Sequence, residues 1–463
     1  MAENMDEQQR RYLDEALAQY DLGDFEAELI RHNENLTYRI GAGHLLRIHK
    51  HRTGFTTDPI YVGLDRPRLY ASELAFLSHL QAEGLPVQTP VPNRDGALVT
   101  RLSDGTPATV LTWLDGHTLG KSDLLPALCR QIGTMIAQMH AAARRFPPVP
   151  ALRYDSALCV RLQRKLNQLT STGTIAQDPG EVMAAALDTI GAALRQWESD
   201  FILVHSDLSR SNMLLTAAGI APIDFSLFGY GHPMMDVSAL YCNISGSANR
   251  RAIADGYAAA GGLLDAQAID CTFALNVLLG IILHSESWTG ETWFADKLAG
   301  WCQNIFLPLA QGKAVVNLNI SAACATEQDI PAWLALVNCV AEDFPGLDLD
   351  EYTVILKKNI DRQTALCVRE DGKLAGILLF SPRQQCLSCM AVHPSYRRSG
   401  IASALVAEML RRMPEGDISV TTFRAGDAKG AAPRALYQKF GFTPDELLVE
   451  FDYPVQRFVL RRP

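Results

Sequence analysis

The chain has 463 residues, 48% of them apolar and 20% charged, with a formal net charge of −9. That composition belongs to globular domains and excludes a collagen-like, low-complexity or disordered chain, while the length suggests two or three domains. After position 312 the 18 basic and 18 acidic residues cancel, so the whole acidic excess lies ahead of it, which argues against nucleic acid as the main partner and favours a cationic small substrate there.

The N-terminus, MAENMDEQQRRYLDEALAQY, is acidic and amphipathic, unlike a signal peptide. The longest strongly apolar run, 273–283, is too short to span a bilayer, so a cytoplasmic protein with no membrane partner is expected. Ten cysteines are scattered without a scaffold spacing and read as buried thiols. The Cys386/Cys389 pair in QQCLSCMAV lies in a strand-like stretch with no second ligand pair, so it reads as structural, neither zinc-binding nor redox-active.

Residues 9–20 read as a helix, followed by short strands at 26–31, 37–40 and 45–50, the last two joined by a GAGH turn. LYASELAFLSHLQAEG (69–84) has the spacing of an amphipathic helix closed by Gly84. GALVTRL and ATVLTWL alternate like a hairpin. Helices dominate 122–200, strand-like pieces fill 201–224, and helices return to about 310. QGKAVVNLNIS (311–321) marks the crossing into a second unit. That unit reads helix, strands (ALCVRE, LAGILLF, CLSCMAV), helix (399–412), strand (DISVTTF), helix (432–440), strand (LLVEFDY). The expected fold class is α+β. A domain at 1–312, with a β-rich lobe at about 20–115 and a helical lobe at about 116–312, precedes a mixed α/β domain at 313–463.

Two phrases carry chemistry. In VHSDLSRSNMLL (204–215) an apolar strand delivers His205 and Asp207 onto a loop, with Asn212 five residues beyond Asp207. The chain resumes as MLLTAAGIAPIDF, whose TAAG turn makes a hairpin that returns Asp224 beside Asn212. One base and two hard oxygen ligands around one spot suit phosphoryl transfer. The Asp accepts the proton of an attacking hydroxyl, while the Asn and the second Asp hold Mg²⁺ against the phosphates.

These residues resemble the aminoglycoside phosphotransferase and choline kinase group, which shares the bilobal protein-kinase fold; the resemblance covers about 25–310. It implies Asp207 as catalytic base, Asn212 and Asp224 as Mg²⁺ ligands, and His205 as a brace for the loop. It implies ATP or GTP as donor, with Arg47 in HLLRIHK contacting phosphates, Glu73 in ASELAFL as its ion-pair partner, and Trp113 in TWLDG at the adenine-binding hinge. Asp236 in GHPMMDVS would be a buried loop-organising acid. Two departures stand out: Ser206 replaces the usual Gly, and the nucleotide loop HNENLT has no GxGxxG, leaving Asn35 and Thr37 to serve. GAGHLL joins two strands and opens no helix, so it is not a phosphate loop.

In VHPSYRRSGIASALV (392–406) a strand runs through Arg397, Arg398, Ser399, Gly400, Ile401 and Ala402 into an apolar helix. Gly400 lets backbone approach a ligand, and the unpaired N–H groups of the first helical turn suit a pyrophosphate. This is similar to the acetyl-coenzyme A site of the GNAT N-acetyltransferases, [R/Q]xxGx[G/A], matched by Arg397, Gly400 and Ala402 over about 317–463. The resemblance implies that main-chain groups of Met390 to Val392 polarise the acetyl carbonyl and that Tyr437 in ALYQKFGF protonates the departing thiolate. No general base stands out, although Glu342, Asp343 and Glu351 lie toward the acceptor side.

Trp288, Trp293, Phe294 and Trp301 have the composition of an ammonium cage, but their spacing favours core packing. The leading expectation is a bifunctional enzyme. One half phosphorylates a small-molecule hydroxyl, on an aminoglycoside or another cationic compound, and the other acetylates an amine. The alternative is that one domain senses a ligand without chemistry and controls the other.

Overall fold

The computed structural model describes every residue except 1–6, 24–25, 33–34, 52–58, 62, 245, 345, 371–372, 451 and 463. Two compact units form: Met1–Leu124 with Arg130–Ile244 and Ile253–Asn317, and Leu125–Cys129 with Ser245–Ala252 and Leu318–Pro463.

The first unit opens with α1 (Glu7–Leu17). Strands β1 (Ala27–His32), β2 (Leu36–Ile40), β3 (His44–Ile48), β4 (Pro90–Val91), β5 (Thr100–Arg101) and β6 (Pro107–Thr112) build an antiparallel sheet in the order β1-β2-β3-β6-β4, with β5 on β6. Strand alternation puts Tyr38, Leu46 and Ile48 in one core with Tyr12 and Leu13 of α1. It turns Arg47 to the opposite face. There α2 (Arg66–Ala82), started by Pro67, carries the buried Glu73.

The rest of this unit is mainly helical. Its helices are α3 (Pro126–Ala143), α4 (Ser156–Ser171), α5 (Gln177–Trp197), α6 (Met234–Asn243), α7 (Ser247–Ala259), α8 (Ala266–Trp288), α9 (Phe294–Trp301) and α10 (Leu307–Ala310), of which α3 and α7 straddle the division. Short strands β7 (His117–Thr118), β8 (Leu152–Arg153), β9 (Ile202–Val204), β10 (Met213–Thr216), β11 (Gly219–Pro222) and β12 (Gly229–Gly231) pair as β11-β10-β7 and β8-β12-β9. The apolar run at 273–283 belongs to a longer helix than the sequence suggested. By length and composition α8 is able to cross a membrane, but 67% of its most apolar window is buried inside the fold. A helix apolar on every side is what a core position requires.

In the second unit, β13 (Ala323–Cys324), α11 (Ile330–Cys339) and α12 (Leu349–Asp361) precede β14 (Ala365–Glu370), β15 (Lys373–Ser381) and β16 (Cys386–Val392). Then come α13 (Ile401–Arg412), β17 (Ile418–Phe423), α14 (Ala431–Lys439), β18 (Thr443–Glu450) and β19 (Tyr453–Leu460). The seven strands are ordered β13-β14-β15-β16-β17-β19-β18. One sheet face packs on α13 and α14 through Leu366, Leu378, Leu405 and Tyr437, the other on α11 and α12 through Trp333, Leu356 and Ile377. The reading of 447–453 as one strand is corrected: the chain turns near Asp452, at φ 58°, and β19 inserts between β17 and β18. Asp452 and Pro454 mark that turn, but the apolar and aromatic residues around them read as one continuous strand.

Candidate active sites

In the first unit the buried strand β9 ends at Val204, and the polar loop after it is held from below by Asp236. That carboxylate, fully buried at the start of α6, accepts from the main-chain N–H of His205 at 3.0 Å and of Ser206 at 2.7 Å. It also meets His140 Nε2 at 2.9 Å. A buried carboxylate satisfied by three donors is costly to remove and so fixes the loop. Ser206, where the resemblance expects Gly, has φ 64°, the left-handed conformation that side chains disfavour. Its Oγ offsets this, lying 2.7 Å from Tyr154 Oη and against the Leu227 carbonyl.

The loop then places the predicted residues together. Asn212 Nδ2 donates to Asp207 Oδ2 and to the Asp207 carbonyl, both at 2.9 Å. The β10–β11 hairpin pairs Met213 with Pro222, and Ile223 N–H donates to the Asn212 carbonyl at 2.9 Å, which brings Asp224 alongside. His205 ties both arms: its Nδ1 accepts from Asp207 N–H at 3.3 Å while its Nε2 lies 3.0 Å from the Ile223 carbonyl. Asp224 sits at φ 65° and accepts from Ser226 Oγ at 2.8 Å.

Electrostatics separates the two acids. Burial pushes the Asp207 carboxyl up, and the nearby Asp224 charge adds to this against the pull of His205. Burial also acts on Asp224, but Arg31 and Arg47 outweigh it and hold that carboxyl below its usual range. Arg31, on β1, places Nη2 2.6 Å from Asp224 Oδ2. Sequence reading missed it, since nothing near position 31 signals a partner 193 residues away.

Arg47 and Glu73 form a buried ion pair at 2.8 Å. Burial pushes the Glu73 carboxyl up, against Arg47. Trp113 follows β6, with the Arg39 guanidinium 4.5 Å from its ring centroid. Asn35 is buried and bonded to His49 Nδ1 at 2.8 Å, and Thr37 is buried too. The rest of the expected nucleotide loop, 33–34, lies outside the described residues. For Mg²⁺ the donor chemistry fits: Asn212, just ahead of β10, commits Nδ2 to Asp207, which leaves its amide oxygen as a hard ligand near Asp224.

The aromatic residues of α8 and α9 pack on one another. Trp288 lies 5.3 Å from Trp293, 5.7 Å from Phe294 and 6.4 Å from Trp301, centroid to centroid. Phe294 is buried, Trp288 and Trp301 are half-buried and Trp293 is 40% exposed, so the cluster packs together at the edge of the core. Rings this close fill the volume a cage would leave open.

In the second unit β16 and β17 run parallel but pair only at Cys386↔Ser419 and Leu387↔Val420, then splay. The gap is a cavity of about 740 Å³. Met390 and Val392 line one wall, Thr421 and Tyr437 the other, and Arg397, Arg398, Gly400, Ile401 and Ala402 its mouth. Ser399 is buried, and its Oγ donates to the Tyr396 carbonyl. Gly400 caps α13 at φ 94°, a conformation that a side chain strains. Ile401 itself points into the core, where β15 makes room: a Cβ on Gly376 would lie 2.4 Å from Ile401 Cγ2. Only the main-chain N–H of Ile401 therefore has access to a ligand at the helix start.

Arg397 reaches Asp343 at 3.1 Å, and Lys429 lies 3.9 Å from the same carboxylate. The Tyr437 ring packs 5.8 Å from Phe442 and 6.4 Å from Phe458, while burial raises its phenol above the usual range. Glu351 lies away from the cavity lining, in the first turn of α12. Cys386 is half-buried, and Cys389 is buried against Tyr352 Oη at 3.4 Å.

Comparison with known proteins agrees with this division. Residues 26–271 match the phosphotransferase enzyme family, and residues 333–442 match the acetyltransferase (GNAT) family. The chain is 33% identical over 164 residues to homoserine kinase of Rhizobium johnstonii, covering 34% of this chain and 48% of that protein. It is 29% identical over 211 residues to homoserine kinase of Allorhizobium ampelinum, covering 43% and 59%. The chain thus spans about half the length of the curated relatives it matches. In fold it is similar to an amicoumacin kinase solved with AMP-PNP and Ca²⁺ (TM-score 0.54, 18% identity, covering 68% of this chain and 96% of that one). It is also similar to a microcompartment-associated aminopropanol kinase (TM-score 0.53, 21% identity, covering 67% and 100%). The chain belongs to the phosphotransferase enzyme family, and a region matching the acetyltransferase (GNAT) family follows in the sequence.

Proposed function

We propose that the chain is a bifunctional cytosolic enzyme acting on small amino alcohols, with a functional boundary near residue 312. The first half transfers the γ-phosphoryl group of ATP or GTP to a hydroxyl. The second transfers acetyl from acetyl-coenzyme A to an amine. The observation that carries the first activity is the Asn212–Asp207 pair set beside Asp224 on a loop clamped by Asp236.

Asn212 fixes the Asp207 carboxylate by donating to one oxygen, which leaves the other to accept the proton of the attacking hydroxyl. The Asn212 amide oxygen and Asp224 hold Mg²⁺, which when bound neutralises charge on the phosphate oxygens. Arg31, 2.6 Å from Asp224 Oδ2, would compete with a cation for that carboxylate. Arg47, fixed by Glu73, meets the phosphates, and Trp113 borders the base.

In the second half, the N–H groups at Gly400, Ile401 and Ala402, with the side chains of Arg397, Arg398 and Ser399 around them, bind the coenzyme pyrophosphate. Main-chain groups of Met390 and Val392 orient the acetyl carbonyl, and Tyr437 protonates the leaving sulfur. An amino alcohol is favoured because homoserine, the substrate named for the kinase relatives, carries both a hydroxyl and an amine. The acidic excess of the first 312 residues suits its ammonium.

The test is phosphate transfer to a panel of amino alcohols that includes homoserine, in wild type and Asp207→Asn. Phosphoryl transfer should fall by about 10²–10⁴-fold in the variant, with acetyl-coenzyme A binding unchanged. Equal phosphoryl transfer would remove Asp207 as base.

A further inference from the structure

The splayed cleft holds an acid that neither sequence motif contains. Glu450, the last residue of β18, reaches to β17, where its Oε2 accepts from Thr421 Oγ1 at 3.0 Å. Among the residues lining the cavity only Asp343 and Glu450 are acidic. Asp343 is engaged by Arg397 and Lys429. Glu450 has no Lys, Arg or His within ion-pair distance among the described residues, and its one hydrogen bond there comes from a neutral hydroxyl. It is half-buried and shares the cavity with Leu387, Val420, Phe423, Leu436 and Val455. In such apolar surroundings an unpaired carboxylate attracts a cation more strongly than it would in open water.

We propose that Glu450 binds the protonated amine of the acetyl acceptor and removes the proton that frees its lone pair. This rests on the acetyltransferase reading above and supplies the base that the sequence did not show. An aliphatic amine, with a pKa near 10, arrives as an ammonium at neutral pH. It therefore brings a charge to recognise and a proton to lose. Thr421 donates to one Glu450 oxygen, which leaves the other for the ammonium.

After one proton passes to Glu450 and on to solvent, the nitrogen lone pair attacks the thioester carbon. The C–N bond forms, and the C–S bond breaks as the intermediate collapses. The leaving sulfur takes a proton from the Tyr437 hydroxyl. The second nitrogen proton is released to solvent, from which the phenol is restored, so one thiol, one amide and one net proton result.

The test follows free-thiol release by the full chain with butylamine, putrescine and ethanolamine, and with butanol as the uncharged control. Wild type should acetylate one or more of the amines and not butanol. Glu450→Gln should lose about 100-fold in kcat/KM, with acetyl-coenzyme A affinity and melting temperature unchanged. Glu450→Asp should recover part of the rate. Wild-type rates in Glu450→Gln would overturn the proposal. So would wild type that binds acetyl-coenzyme A tightly yet acetylates none of the amines. Failure of wild type to bind acetyl-coenzyme A would instead overturn the coenzyme reading, and Glu450 with it.

Discussion

The two candidate sites are built from different parts of the polypeptide. In the first unit side chains converge: Asp207, Asn212, Asp224, Arg31 and Asp236 come from a strand end, a loop, a hairpin, another strand and a helix, and nearly every link is a side-chain hydrogen bond. In the second unit the cleft is a backbone object, made by two strands that stop pairing after Leu387↔Val420 and a helix whose first turn faces the gap. The first should fail when a single functional group is removed. The second should fail when packing moves the backbone, even if no group at the site changes.

The largest effect should come from Asp236→Ala. It strands the N–H groups of His205 and Ser206 and leaves His140 without its carboxylate. Removing one partner from a buried network of this kind costs about 3–5 kcal/mol. Urea unfolding of the full chain should show this loss together with loss of phosphoryl transfer, while acetyl-coenzyme A titration remains normal. An unchanged unfolding curve would mean that the loop is held by something other than side chains, which would break the contrast.

The same contrast explains what could be read from the sequence. Asp207, Asn212 and Asp224 lie within 18 residues of one another, and a local hairpin is enough to join them, so a linear pattern carried the geometry. Arg31 and Glu450 could not be found that way. Each meets its partner across tertiary structure, Arg31 over 193 residues and Glu450 over 29. Glu450 moreover depended on the β18–β19 turn, hidden inside a run that reads as one strand. The sequence of helix, three strands, helix, strand and helix from α12 to α14 was legible, but β13, the division into α11 and α12, and the β18–β19 pair were not. The splay of β16 from β17 was not, because it is a lapse in pairing and no residue type encodes it. Ser206 marks another limit: a left-handed residue was expected to be Gly, yet a hydroxyl with two oxygen neighbours suffices.

Tyr437→Phe sharpens the comparison at intermediate size, since it removes the one side-chain hydroxyl assigned to chemistry in the backbone-built cleft. The ring contacts with Phe442 and Phe458 survive the change, so stability should hold while acetyl transfer falls by about 100-fold. Because the folded phenol titrates above the usual value of about 10, it stays protonated through neutral and moderately alkaline pH. The wild-type acetylation rate should therefore show no decline from this group between neutrality and the ordinary tyrosine range. Full activity in the variant would return Tyr437 to a packing role.

Gly376→Ala makes the smallest change and the most pointed one, because residue 376 lies outside the cavity lining and bears no functional group. Its new methyl would meet Ile401 Cγ2 at 2.4 Å and Leu405 Cδ1 at 3.2 Å. Both side chains are buried in the core under α13, so the helix must shift away from β15. Overpacking of this kind costs about 1–3 kcal/mol. The shift also displaces the N–H groups of Ile401 and Ala402 from the mouth of the cleft. Coenzyme affinity should therefore weaken along with stability, while phosphoryl transfer by the other unit stays at the wild-type level. Loss of stability with unaltered coenzyme affinity would show that the helix start is not what holds the ligand, and the case for a backbone-built site would have to rest on the splayed strands alone.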